Sequence, residues 1–262
     1  SAGAEAVVAC TLPTSAIAYI TRHSGYDAGV VISASHNTVE YNGIKFFNSS
    51  GYKLADEIED RIENIIMNGS ETVPQPTGKK IGRRVRLKKA AQDYMDFVVE
   101  TTDVRLDGMK VVLDCANGAA SEVAPWIFKL LGAEVIPYYN MPDGTNINEN
   151  CGSTHPEQLC RLVSELGADV GLAFDGDADR LIAVDEHGSV VDGDKIMAIC
   201  ALDMKKRGRL SKNTVVATVM SNMGMEATLR ENGVDLVRTG VGDRYVLEEM
   251  LKRQCYGSAD RV

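Results

Sequence analysis

The stretch AGVVISASHNTVEYNGIKFF, residues 28–47, decides how the chain is read. It opens on an apolar run, Gly29-Val30-Val31-Ile32, with the length and β-branching of a buried strand. Polarity arrives at Ser33-Ala34-Ser35-His36-Asn37, and the turn pair Asn42-Gly43 leads into a second apolar run, Ile44 to Phe47, that carries Lys45. A loop between two strands therefore presents a hydroxyl, an imidazole, an amide and an ammonium close together. Loops held by rigid strands commonly carry chemistry. Two readings stand here. One is a polar loop whose Ser and Asn side chains satisfy local backbone. The other is a nucleophile or phosphoryl carrier at Ser35, with His36 and Lys45 beside it.

A second motif lies far along the chain: Gly171-Leu172-Ala173-Phe174-Asp175-Gly176-Asp177-Ala178-Asp179-Arg180-Leu181-Ile182-Ala183-Val184. Asp175, Asp177 and Asp179 alternate with small residues between two apolar runs. Like charges so close repel, and a hard divalent cation with oxygen ligands is the natural counter-charge. An EF-hand is excluded, because Arg180 occupies the position where its loop needs Gly and strand-like runs stand where helices belong. An aspartyl-phosphate enzyme remains open, since an apolar strand here ends in Asp-x-Asp.

Taken together, these motifs resemble the α-D-phosphohexomutases. The likeness is carried by Ser33 to Asn37, Asn42 to Phe47, Leu113-Asp114-Cys115-Ala116-Asn117-Gly118-Ala119, Asn146-Ile147-Asn148 and Gly152-Ser153-Thr154-His155-Pro156-Glu157. It continues through Asp175 to Arg180, Val191-Asp192-Gly193-Asp194 and Val241-Gly242-Asp243-Arg244-Tyr245-Val246, almost the whole chain. The resemblance implies that Ser35 carries the phosphoryl group and that Ser35, Asp175, Asp177 and Asp179 hold one Mg²⁺. It places His36 and Lys45 near the transferring group and Arg180 beside the metal loop. The expected activity is an intramolecular phosphotransfer between the 6- and 1-phosphates of a hexosamine, through a phosphoserine enzyme and a 1,6-bisphosphate. In a bacterial cytoplasm this would feed cell-wall precursors. Glucose or mannose as the sugar, and an aspartyl-phosphate phosphotransferase using Asp175, are the alternatives. The family usually has Pro after Ser-His-Asn; Thr38 stands there, which removes a stiffening of the loop.

The remainder of the 262 residues fits an α/β protein of successive phosphohexomutase-type domains with mixed, mostly parallel sheets. Three domains are expected: residues 1–88 with the serine loop, 89–211 with the metal loop, and 212–262, the start of a third. Residues 5–10 and the run Gly29 to Ile32 read as parallel strands of a βαβ unit, and 56–67 as an amphipathic helix with Ile58, Ile62, Ile65 and Ile66 on one face. Residues 69–88 read as a basic connection. A helix is expected after Asn117-Gly118, and Thr154-x-x-Glu157 has the form of a capping box. Gly240-x-Gly242 lacks the third Gly of a dinucleotide fingerprint, so no nucleotide cofactor is expected.

A hydrophobic fraction of 44% and a charged fraction of 25% are those of a globular protein, and the net charge of −9 argues against nucleic acid. No apolar run approaches the roughly 20 residues that span a bilayer. The six cysteines are scattered, without a CxxC pair, as expected of reduced thiols. A monomer or homodimer is expected. The family's Gly-Thr-x-Gly-x-Arg-Gly opening, its Gly-Glu-x-Ser-Gly-His sugar loop and its phosphate-gripping fourth domain are not in the sequence. The expectation is therefore a fragment, inactive alone.

Overall fold

The computed structural model describes residues 2–69 and 73–255; residues 70–72 of the basic connection and the end of the third expected domain, 256–262, lie outside it. The chain forms two compact units, Ser1–Leu181 with Glu186–Gly188, and Ile182–Asp185 with Ser189–Val262.

The first unit runs β1 (Ala6–Val8), α1 (Thr14–His23), β2 (Ala28–Ser33), β3 (Gly43–Asn48), α2 (Asp56–Asn68), β4 (Arg84–Arg86), α3 (Ala90–Glu100), β5 (Lys110–Asp114), α4 (Ala120–Leu130), β6 (Glu134–Tyr138), α5 (Glu157–Leu166) and β7 (Val170–Phe174). β5 lies between β6 and β7, parallel to both. It reads Lys-Val-Val-Leu-Asp and is buried from Val111 to Asp114, as a central parallel strand covered on both faces must be. Helix α4 lays Ala120 and Ala124 against it, in a cluster with Val111, Leu113, Cys115 and Ala133. A neighbouring cluster joins Leu12, Ala16 and Ile20 to Ala90, Met95, Val123 and Ile127. It ties α1 to α3 and α4.

Two expectations are corrected in this unit. β1 pairs with β4, parallel, and β2 pairs with β3, antiparallel, so the two strands of the expected βαβ unit are not hydrogen-bonded to each other among the described residues. The basic connection itself supplied the missing partner, a strand not read in the sequence. Nor is β2 buried throughout. Gly29 and Val31 face inward under α1, where a Cβ on Gly29 would lie 2.3 Å from Thr21 Oγ1. Val30 and Ile32 face out, 50% and 71% exposed, because α1 covers only one side of the strand. Helix α2 likewise buries no residue.

In the second unit, β8 (Leu181–Asp185) turns back into β9 (Val190–Val191), antiparallel. Then follow α6 (Gly193–Lys206), β10 (Thr214–Thr218), α7 (Met223–Glu231), β11 (Asp235–Thr239) and α8 (Asp243–Arg253), with β10 and β11 parallel. Asp192 caps α6 by accepting the Lys195 N–H at 2.9 Å, and Asn222 caps α7 through Met225 at 2.9 Å. Ala198 and Ala201 of α6 pack into one core with Ala217, Met225, Leu229 and Val234. That packing makes α6 part of the later unit, which begins near 182, whereas the sequence reading drew its line at 211. No helix among the described residues is long and apolar enough to cross a membrane.

Leu113 is fully buried at the centre of β5. Leu113→Ala should lower stability by about 2–5 kcal/mol, measured by urea unfolding followed by circular dichroism. A loss well under about 1 kcal/mol would mean that this strand is not central to the core.

Candidate active site

Ser35 lies just past the end of β2, with φ at 54°. That left-handed conformation costs an ordinary residue roughly 1–2 kcal/mol, so something must hold it. The Ser35 N–H donates to Ser33 Oγ at 2.8 Å. Its carbonyl accepts the Gly176 N–H at 3.0 Å and Asn148 Nδ2 at 2.8 Å. Asn148 Nδ2 also donates to the Asn37 carbonyl at 2.6 Å, and the Asn148 N–H to Ala116 at 2.9 Å. Buried at 3% exposure, Asn148 is a clamp on both sides of His36.

The aspartate loop begins where β7 ends. Asp175 Oδ1 accepts the backbone N–H groups of Asp179 and Arg180, each at 3.1 Å, which closes the loop upon itself. Gly176 is squeezed between neighbours: a Cβ there would lie 2.5 Å from the Ser35 carbonyl oxygen and 2.8 Å from Asn148 Nδ2. A Cβ on Gly118 would come within 2.2 Å of the Gly176 oxygen, and the Ala119 N–H donates to that oxygen at 2.8 Å. The two motifs, about 140 positions apart in sequence, are thus in direct backbone contact.

Side chains complete the cluster. Asp177 Oδ2 accepts from Thr14 Oγ1 at 2.5 Å and from Lys45 Nζ at 2.5 Å. Lys45 Nζ reaches on to Asp179 Oδ2 at 2.6 Å. The Ser35 side chain lies close enough to Asp177 to help hold that carboxyl down. Burial pushes the Asp175 carboxyl up, to about 6, and the charges of Asp179 and Asp177 add to the rise. Burial also works on Asp177, but the hydrogen bonds from Lys45 and Thr14 outweigh it and hold that carboxyl below its ordinary value. Burial alone would lower the Lys45 ammonium; its bonds to Asp177 and Asp179 raise it instead.

One carboxylate oxygen from each of Asp175, Asp177 and Asp179 lies within 4.8 Å of the other two. Asp175 Oδ2 and Asp177 Oδ1 are buried with no hydrogen-bond partner. Buried polar atoms are rarely left so. A single ammonium against three carboxylates leaves the site negative. Oxygen-only donors with two unsatisfied atoms fit a hard divalent cation.

Of the residues singled out in sequence, Ser35, Lys45, Asp175, Asp177 and Asp179 come together. Arg180 adds its backbone N–H and, through its charge, lowers Asp175. His36 follows Ser35, its Nδ1 buried and unpartnered. Thr14 and Asn148 were not given site roles from sequence. Thr14 opens α1, yet that helix has no side-chain cap and the hydroxyl goes to Asp177. The capping box at Thr154 also fails: α5 starts at Glu157 without a side-chain cap. Asn117 sits in a turn with φ at 48°, its side chain accepting from the Met141 N–H at 3.2 Å and donating to the Asn146 carbonyl at 3.3 Å.

The folded chain holds the Asp175 proton more tightly than an unfolded one. Stability therefore falls as pH rises from the ordinary carboxylate value to about 6 and stays reduced above it, and a bound cation offsets that cost. The rise in melting temperature on adding Mg²⁺ should be large at about pH 8 and nearly absent at about pH 5. Thermal melts with and without the ion check this; an equal rise at both would refute the cation assignment.

Three family models match the chain in order. They are described as phosphoglucomutase/phosphomannomutase alpha/beta/alpha domain I at residues 1–73, domain II at 92–188 and domain III at 192–258. A curated relative from Thermoanaerobacter sp., named phosphoglucosamine mutase, is 63% identical over 96% of the chain. The chain spans about half of such relatives, 56% of that one. Among solved structures, a phosphoglucomutase/phosphomannomutase family protein from Burkholderia thailandensis superposes with a TM-score of 0.79 at 25% identity, over 97% of this chain and 56% of that one. An Aspergillus fumigatus N-acetylphosphoglucosamine mutase, in complex with GlcNAc-6P and magnesium, shares the fold, with a TM-score of 0.57 at 17% identity over 91% and 60%. With three domain models in sequence and the same fold in the solved structures, the chain belongs to the phosphoglucomutase/phosphomannomutase family.

Proposed function

We propose that this chain is the central part of an enzyme interconverting glucosamine 6-phosphate and glucosamine 1-phosphate in the cytoplasm, with Ser35 as phosphoryl carrier. The observation that carries the reading is the seating of the Ser35 loop directly on the aspartate loop, with the Gly176 N–H donating to the Ser35 carbonyl at 3.0 Å, while Lys45 bridges Asp177 and Asp179. A lone polar loop would need neither a distant aspartate loop held against it nor a lysine bridging two of that loop's carboxylates. The sugar is taken from the name of the curated relatives; glucose or mannose phosphates are the alternatives within the family.

In this reading Asp175, Asp177 and Asp179, with a phosphate oxygen on Ser35, hold Mg²⁺. When bound, the ion draws charge from the transferring phosphoryl group. The chain's own residues do the rest. The Asn148 clamp and the Gly176 N–H hold the Ser35 carbonyl, and with it the left-handed conformation, against the aspartate loop. Phosphoryl transfer asks mainly for such positioning and for charge neutralisation. Lys45, kept charged by its two aspartates, stabilises the anionic phosphoryl oxygens. His36 is then the group left to take a proton from the attacking sugar hydroxyl and to return it in the reverse direction. Arg180 steadies the aspartate loop.

The longer enzyme should carry acid-stable phosphate on Ser35, found by phosphopeptide mass spectrometry and absent in Ser35→Ala. Hydroxylamine-labile phosphate on Asp175 would favour the aspartyl-phosphate alternative instead. Asp177→Asn should weaken Mg²⁺ binding at least about tenfold by calorimetry; unchanged affinity would refute the metal site. Residues 1–262 alone should turn over no glucosamine 6-phosphate in a coupled assay.

A further inference from the structure

The unexpected strand β4 places two arginines on one side of a small sheet. Residues two apart in a strand share a face, so Arg84 and Arg86 stand together. Their register partners on β1 are Ala6 and Val8, and Cys10 follows two residues after Val8. Val8, Cys10, Arg84 and Arg86 line a cavity of about 370 Å³. Arg84, Arg86 and Cys10 are all exposed. Among the described residues neither arginine has an ion-pair partner.

The surrounding sequence sharpens the point. Residues 79–89 hold Lys79, Lys80, Arg83, Arg84, Arg86, Lys88 and Lys89 and no acid, in a chain of net charge −9. Neighbouring like charges on a strand repel one another, and here no carboxylate relieves them. A concave wall of one charge sign focuses its field. The guanidinium fork matches phosphate oxygens in pairs and gives up water more readily than an ammonium does. The cavity lies at the lower end of the range for small-ligand sites, and the overall negative charge opposes a long polyanion.

We propose that Arg84 and Arg86, above Val8 and Cys10, form a binding site for a phosphate dianion, free or as the monoester of a small sugar. The site is separate from the Ser35–aspartate cluster and does not rest on the proposed reaction. Cys10 also borders a larger cavity of about 460 Å³ that reaches Asp177. The two hollows therefore share one wall, and an anion held by the arginines sits beside the larger one.

Cys10 reports occupancy. Alkylation by neutral iodoacetamide, read by peptide mass spectrometry, distinguishes Cys10 from Cys200, which is also exposed but lies on α6. Potassium phosphate at constant ionic strength should slow the Cys10 reaction at least about threefold at saturation and leave Cys200 unchanged. Anionic iodoacetate should favour Cys10 over Cys200 more than iodoacetamide does. The double variant Arg84→Ala, Arg86→Ala should abolish both effects. Arg84→Lys with Arg86→Lys keeps the charge and loses the fork, so it should retain the iodoacetate preference and weaken phosphate protection. Glucosamine 6-phosphate is run in parallel: protection at lower concentration than inorganic phosphate assigns the sugar monoester, and equal protection assigns the phosphate group alone. No protection by either up to about 50 mM, or undiminished protection in the double alanine variant, overturns the proposal.

Discussion

Three carboxylates held within a few ångströms of one another govern this part of the molecule. At an effective dielectric of about 20, two like charges 4 Å apart repel by roughly 4 kcal/mol, so a trio cannot persist unaided. The fold answers from a distance. Strand β3 delivers the Lys45 ammonium between Asp177 and Asp179, and the start of α1 delivers the Thr14 hydroxyl to Asp177. Asp175 has no cationic side chain hydrogen-bonded to it and feels only the nearby charge of Arg180; it is turned inward, satisfied at one oxygen by the loop's own backbone and left open at the other. The arrangement is incomplete in charge, and that incompleteness is what a divalent ion would fill.

The same economy shapes the serine loop. Ser35 occupies a backbone conformation that its side chain disfavours, and residues in such conformations cluster where function demands them. Its carbonyl is gripped from two directions, by the Gly176 N–H and by the Asn148 amide. Asn148 comes from the segment between β6 and α5, which otherwise has no regular structure. That segment earns its irregular path by bringing one amide group to two carbonyls on the facing loop.

Much of this was legible in the sequence because it was written as local pattern. Alternating aspartates after an apolar strand, and Ser-His-Asn between two strands, report loops whose chemistry is carried by residues near one another in the chain. Thr14 and Asn148 could not be weighed that way. Each acts on a partner more than a hundred positions away, and in its own neighbourhood each looks like helix-start or turn chemistry. The strand β4 escaped for a different reason: with arginines on its exposed face and three residues of length, it has the composition of a solvated linker. Val30 and Ile32 misled in the opposite sense. Their apolar character predicts burial, yet only one face of β2 is covered by α1.

The glycine at position 176 donates its N–H to the Ser35 carbonyl and accepts at its own carbonyl the N–H that opens α4. With no side chain to act as a cushion, neither contact can slacken without the other being felt. The first turn of α4 and the loop that bears the hydroxyl are therefore mechanically geared. A sideways shift of that helix by a fraction of an ångström would be handed on, through a single residue, to the orientation of the serine.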